Sequence, residues 1–306
     1  MFNNNEHKIT SSQWSVMSLV VVSTAGSLLY RLLRHQHLGH SAAMFLGLPA
    51  VLAILLAAAP RPRSATGAIV KGLTLMLLVV APLLGEGWIC ILIASPLFYA
   101  VGIAVGVAVD WQRRRKAATL SCVAVLLLPF SLEGVVPQWT FPRLQTVSVT
   151  RVVNASPAAV EQSLAHSPQL QTPLPLGMRL FPRPLAAWGD GLAVGDVRAV
   201  HFAGAEGHSP GDLRMKVVAS GPGYVRTAPV DDASKLMQWA AWTGSDVEWK
   251  PLDATHTQVT WRLSFERELD PAWYFAPLER AVVREAAEYM IAANATPQRE
   301  AGDGRR

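Results

Sequence analysis

Cysteine is nearly absent: the 306-residue chain has two, Cys90 and Cys122, each inside an apolar run. Two thiols in such surroundings supply neither a disulfide framework nor a zinc ligand set, and each reads as a small hydrophobe among its neighbours. Charge is scarce too, at 16% Asp, Glu, Lys and Arg, against about 25% in an ordinary soluble domain. No cofactor-binding motif is present, and no spacing supports a Ser-His-Asp or Cys-His arrangement. His35, His37 and His40 have no nearby carboxylate or thiol to complete a metal site, so they read as a hydrated loop. No cofactor and no metal are expected.

What is present is unevenly distributed. Residues 1–139 hold 10 Lys/Arg and 4 Asp/Glu, whereas residues 140–306 hold 17 and 18. The sequence pI of 9.5 therefore belongs to the first part, where the basic residues sit in short loops between apolar runs. Membrane topology explains that pattern, and no nucleic-acid partner is expected.

The apolar runs predict a multi-pass transmembrane region over residues 1–139, with spans at Trp14–Leu33, Ser41–Ala59, Gly67–Leu84, Trp88–Val109 and Ala117–Val136. Each is near the ~20 residues that cross the hydrocarbon. The first run is too long for a signal-peptide core and lacks a small-residue cleavage site, so it reads as a retained span. Lys71 near the start of the third can snorkel, and Glu133 near the end of the fifth is expected at headgroup level. Trp14, Trp88, Trp111 and Trp139 fall at span ends, as interfacial indoles do. Gly102 and Gly106 form a small-xxx-small pair, a signature of close helix packing.

Five spans place Lys8, Arg61, Arg63, Lys71 and Arg113–Lys116 on one side, with Arg31 and Arg34 opposite. Positive charge favours the cytoplasm. The expectation is a cell-membrane protein with its amino terminus inside and everything after Val136 outside. No span carries a chain of polar residues or a buried acid, so a pump or transporter lacks its usual evidence.

From Gln145 the pattern turns to strand-like alternation. Val147, Val149 and Arg151–Val153 read as a first strand, and Ser156-Pro157 reads as a helix cap and first helical residue, with the helix over Ala158–Ala165. A Pro-rich stretch, Pro168–Pro184, cannot stay regular for long; its Leu174, Leu176, Met178, Leu180 and Phe181 could cover a cavity. Strand-like runs follow at Asp196–Phe202, Asp212–Ser220, Tyr224–Val230, Met237–Lys250 and Thr257–Glu268, the last two forming a hairpin turned at Pro251–Thr255. In the last run Val259, Trp261, Leu263 and Phe265 alternate with polar residues, which makes one face apolar. A helix over Pro271–Asn294 closes the domain, with Phe275, Leu278, Val282, Ala286, Tyr289 and Ala293 on the expected apolar face and Glu279, Arg280, Arg284 and Glu288 off it. Residues 296–306 read as a disordered tail.

The segments Val149–Val160, Asp246–Thr255, Thr257–Phe265 and Pro277–Arg280 give this half its character. It resembles the START-like, or SRPBCC, superfamily, which includes polyketide cyclases and lipid or sterol carriers. The resemblance covers residues 140–295 and none of the spans. It implies an α+β helix-grip fold, a curved antiparallel sheet gripping a long C-terminal helix around an apolar cavity.

By strand parity Trp249, Trp261, Leu263 and Phe265 would face the helix, and Leu278, Val282 and Tyr289 would face back, either as plain core or as a ligand cage. Glu285 falls on the apolar face, where an unpaired carboxylate is costly. It would serve a ligand or a proton transfer, pair with a cation such as Arg262, or escape at the helix flank. His201 and Asp231-Asp232 read as core packing and turn chemistry. No catalytic residue is assigned. The expected partners are a lipid bilayer and a hydrophobic small molecule or lipid, and the leading function is a membrane-anchored binding protein. The alternatives are a cyclase- or hydrolase-like enzyme and a sensor or assembly module of a membrane complex.

Overall fold

A computed structural model of the chain describes residue 18 and residues 48–58, 62–84, 88–115, 133, 138, 140–168, 170, 172–204 and 209–295. The first expected span apart from Ser18, the His35–His40 loop, nearly all of the fifth span, and the tail lie outside the described residues. The chain divides into two compact units, residues 1–130 and 131–306.

The first unit contains α1 (Leu48–Ala58), α2 (Ala65–Leu84) and α3 (Trp88–Arg115). Among the described residues one helix, Ile91–Arg114, is long and apolar enough to cross a membrane, and the apolar stretch Ala65–Val79 is shorter. The helix α3 runs past the expected span end at Val109 and takes in Arg113–Arg115, because a helix need not stop where its apolar stretch does.

Missing side chains let α2 and α3 approach: a Cβ at Gly106 would lie 2.5 Å from Thr66 Cα, and one at Gly102 would run into Leu73. One turn further on, the Asp110 carboxylate accepts from the Ala65 and Thr66 amides at 2.7 and 3.0 Å and from the Thr66 hydroxyl at 2.7 Å. It thereby satisfies the free N–H groups that open α2. Thr74 and Tyr99 hydroxyls meet at 2.7 Å between the same two helices.

The second unit is built on a seven-stranded antiparallel sheet: β1 (Leu144–Val153), β2 (Pro184–Trp188), β3 (Val197–Phe202), β4 (Gly211–Gly221), β5 (Tyr224–Asp232), β6 (Ala240–Pro251) and β7 (Thr257–Arg267). Their order is β1-β7-β6-β5-β4-β3-β2, so the first strand pairs with the last and the rest follow as a meander. The helix α4 (Pro157–Ala165) follows β1, capped by the Ser156 hydroxyl accepting from the Ala159 amide at 3.3 Å. The chain closes with α5 (Ala272–Met290), which packs on β1 and β7 and runs into a π-turn at Ile291–Ala295.

On β7 the alternation becomes burial: Val259, Trp261, Leu263 and Phe265 are all buried against α5 and the neighbouring strands. The hairpin β6-β7 turns on Asp253, whose Oδ1 accepts from the Thr255 and His256 amides at 2.7 and 2.8 Å. Two local expectations fail. The strand β2 was hidden because Pro184-Leu-Ala-Ala-Trp188 has neither alternation nor β-branched residues. Met237 and Gln238, expected in the β6 run, belong instead to a 3-10 turn, Lys235–Gln238.

The face that α5 presents also differs from the helical wheel. Phe275, Tyr289 and Ala293 are buried as expected, but so are Ala272, Ala276, Glu279, Val283 and Ala287, while Leu278 is 44% exposed and Val282 half-buried. Three alanines let the helix come close to the sheet, and close approach outweighs the larger side chains in choosing the face.

At the start of α5 a buried charge cluster replaces apolar packing. Arg267, fully buried at the end of β7, donates to Glu133 at 3.2 Å, to the Phe141 and Leu269 carbonyls at 3.0 and 2.8 Å, and to Asp270. Glu133 also accepts from the Ala272 amide at 3.1 Å, which caps α5. Glu133 was expected at headgroup level. It lies buried in the second unit because a free helix N-terminus and a desolvated guanidinium together hold its charge.

Candidate functional site

Between the sheet and α5 lies a cavity of about 190 Å³, walled by β3 to β7, by α4 and α5, and by the segment carrying Pro168, Leu170 and Met178. Its walls are mostly aliphatic and aromatic, among them Val200, Phe202, Leu213, Met215, Val225 and Val247. On β6 the lining includes the small residues Gly244 and Ser245. A second depression of about 890 Å³, around Lys235, Met237 and Glu268, is an open groove.

Polar groups reach the lining at a few points. Trp261 donates its indole N–H to Ser245 at 2.8 Å, and Thr227 donates to the Ser245 carbonyl at 3.4 Å. Arg198 gives its guanidinium to the Gly191 carbonyl at 2.7 Å and to the Leu164 carbonyl, tying α4 to β3. Burial pulls its pKa down, while Asp190 and Asp196 oppose the shift. Tyr289 and Trp242 also line the cavity, and neither the Tyr289 hydroxyl nor the Trp242 indole N–H has a hydrogen-bond partner among the described residues.

Of the residues singled out in the sequence, Trp261, Leu263 and Tyr289 line this cavity. Trp249 and Phe265 are buried in the core beside it but do not line it, because the concave face is broader than the void. Leu278 is on the exposed side of α5 and Val282 at its flank, both through the rotation of the helix described above.

Glu285 is half-buried outside the lining and accepts from the Gly177 amide at 2.9 Å, which pins the Pro-rich segment to α5. Its partner is a backbone N–H and not Arg262, which instead pairs with Glu248 at 2.5 Å. His201 pairs with Asp212 at 2.6 Å, and Asp232 accepts from the Ser234 amide and hydroxyl at 2.9 and 2.6 Å.

Three residues escaped the sequence reading. Trp242 and Arg198 sit on strands with no clear alternation, and Glu279 was expected off the buried face. Burial pushes the Glu279 carboxyl up to about 7, with Arg267 and the Leu269 amide pulling the other way. Yet Glu279 is ten residues before Tyr289, about 15 Å along the helix, and does not line the cavity.

A meandering antiparallel sheet, closed by pairing first strand to last and laid around one long C-terminal helix over an apolar cavity, decides the fold. The second unit has a helix-grip fold. This domain is similar to solved structures that share little sequence with it. One is a START superfamily protein from Mycobacterium smegmatis, at 15% identity and TM-score 0.34 over 48% of this chain and 92% of that one. Another is the ZhuI aromatase/cyclase from Streptomyces sp. R1128, at 14% and 0.29 over 50% and 99%. A third is a norcoclaurine synthase from Thalictrum flavum, at 14% and 0.34 over 50% and 92%. No family model and no curated relative matches the chain.

Proposed function

We propose that this chain is a membrane-anchored binding protein whose START-like domain takes up a small apolar molecule or a lipid. The observation that carries this reading is the cavity of about 190 Å³ between sheet and helix. Its lining, among the described residues, includes no carboxylate, imidazole, thiol or amine. That composition favours uptake of an apolar molecule. The raised carboxyl of Glu279 belongs to the charge cluster and offers the enzyme reading no support in the cavity.

Anchoring rests on the helix Ile91–Arg114 together with the remaining apolar runs of residues 1–139, read as five spans with the binding domain outside the cytoplasm. A ligand with roughly 200 Å² of apolar surface gains ~5 kcal/mol on leaving water, less what immobilisation costs. Binding of that strength is weak, and a tether beside the bilayer keeps an apolar ligand locally concentrated.

The test uses the full chain purified in detergent. Small molecules extracted from it are identified by mass spectrometry, and calorimetry follows binding of tetralin, a bicyclic hydrocarbon. Co-purified apolar molecules that tetralin displaces are the expected result; no co-purified molecule and no heat of binding would defeat the reading.

A further inference from the structure

Residues 117–136 read as the last span, yet Glu133 within that run is fixed inside the second unit. Its carboxylate accepts from the Ala272 amide at 3.1 Å and from Arg267 at 3.2 Å. Leu132 is bonded directly to Glu133, so no linker separates the uncharged residues 117–132 from the start of α5. As a helix those 16 residues extend about 24 Å, short of the ~30 Å of hydrocarbon. A short span draws the bilayer surface toward whatever ends it.

What ends it is an apolar rim. Arg267 also donates to the Phe141 carbonyl at 3.0 Å, which brings Phe141 beside Glu133 and the first turn of α5. Phe141, Leu144 at the start of β1, and Trp273 next to Ala272 are 59, 60 and 52% exposed. Exposed apolar residues scattered singly are ordinary, but these three stand together where the chain leaves an apolar run. The charges beneath them pair with one another, Arg143 with Asp270 at 2.6 Å and buried Arg267 with Glu133. Glu266 and Glu268 are exposed at the same end of β7, which suits a zwitterionic surface better than an anionic one.

We propose that this end of the second unit, carrying Phe141, Leu144 and Trp273, lies in the headgroup region of a zwitterionic bilayer. The inference rests on the anchoring reading above and adds which surface of the domain meets lipid. Trp273 has the ring type enriched at that depth, and Phe141 and Leu144 supply apolar area. The antiparallel order from β1 to β2 sets the cavity residues Pro184 and Phe202 on the same rim of the sheet as Leu144. The rim that meets lipid is therefore one that the cavity also reaches.

The test uses the full chain with Cys90 and Cys122 replaced by alanine, reconstituted in phosphatidylcholine vesicles. Single cysteines at Phe141→Cys, Trp273→Cys, Leu252→Cys and Val101→Cys carry a bimane label, and phosphatidylcholine bearing a nitroxide at its headgroup or in its acyl chain quenches it. Leu252 lies just past β6, roughly 35 Å along that strand from the rim, and is 54% exposed. Val101 lies within the helix Ile91–Arg114 and reports anchoring. All four side chains are exposed, where substitutions are mild, and Phe141 and Trp273 report independently.

The headgroup nitroxide is expected to quench positions 141 and 273 severalfold more than position 252, while the acyl-chain nitroxide quenches position 101. Quenching at 141 and 273 no greater than at 252, with 101 quenched, would overturn the inference and leave the anchoring reading standing. Blue-shifted emission at 141 and 273 without quenching would put a protein on this end, such as a second copy of the chain, and would overturn it as well. An unquenched label at 101 would defeat the anchoring reading and this inference together.

Discussion

The two units close their interiors by opposite means. In the first, α2 and α3 come together where side chains are missing, at Gly102 and Gly106. In the second, Trp242, Trp261, Leu263 and Tyr289 are large, yet they stand around a space they do not fill. Both units bring a carboxylate from far along the chain to a helix N-terminus, Asp110 to α2 and Glu133 to α5. Asp110 makes three contacts and completes its task locally. Glu133 shares its charge with a buried arginine inside a larger cluster. The first unit is closed by close approach and satisfied polar groups, whereas the second retains a void between its sheet and helix.

The largest way to break this contrast is at Arg267. Replacing it with alanine leaves Glu133 and Asp270 without their common cation, and loss of one partner of a buried pair costs about 3–5 kcal/mol. Equilibrium unfolding of the full chain, followed by tryptophan fluorescence, is expected to show the second unit destabilised by that amount. Helical ellipticity of the first unit should persist to higher denaturant.

Next is Glu279, whose carboxyl titrates near 4.5 when unfolded and at about 7 when folded. The charged form is the one the fold disfavours. The contribution of this one group is therefore greatest below pH 4.5, declines as pH rises toward 7, and levels off above it, a total change of roughly 3 kcal/mol. The variant Glu279→Gln should flatten this profile and be the more stable protein at pH 8. A profile as steep as the native one would assign the titration to another group.

Overpacking the first unit tests the other side of the comparison. A leucine at Gly106 must displace Thr66, and insertions of that kind cost about 1–3 kcal/mol. The thermal transition followed by circular dichroism in detergent should fall, with tetralin binding unchanged. The smallest effect is expected at Glu285. Alanine there removes the acceptor for the Gly177 amide and costs about 1 kcal/mol. Hydrogen exchange at residues 176–180 should quicken, and Glu285→Gln, which keeps an acceptor, should not share the change.

Much of the second unit was legible because its strands repeat at two residues. The alternation on β7 named Val259, Trp261, Leu263 and Phe265, and Ser156-Pro157 marked the start of α4. The helix α5 was harder. Its wheel was read by hydrophobicity, which favoured Leu278 and Val282, whereas the sheet selected the stripe of alanines that allows close approach and carried Glu279 inward. Arg267 also escaped notice, although it continues the buried parity of β7. Parity says which side a residue faces and cannot say that a charge there will be met by Glu133, 134 positions earlier.

By itself the sequence determined the elements and their apolar faces, because periodicity, capping and turn chemistry are local. It also determined the resemblance of residues 140–295 to the START-like superfamily, since that lies in short patterned segments. Only the tertiary structure decided which buried residues border a void and which are plain core. It alone left Tyr289 and Trp242 without partners, and it alone engaged Glu285 with Gly177. Those outcomes depend on distances between residues remote in sequence, which close packing sets and no single segment contains.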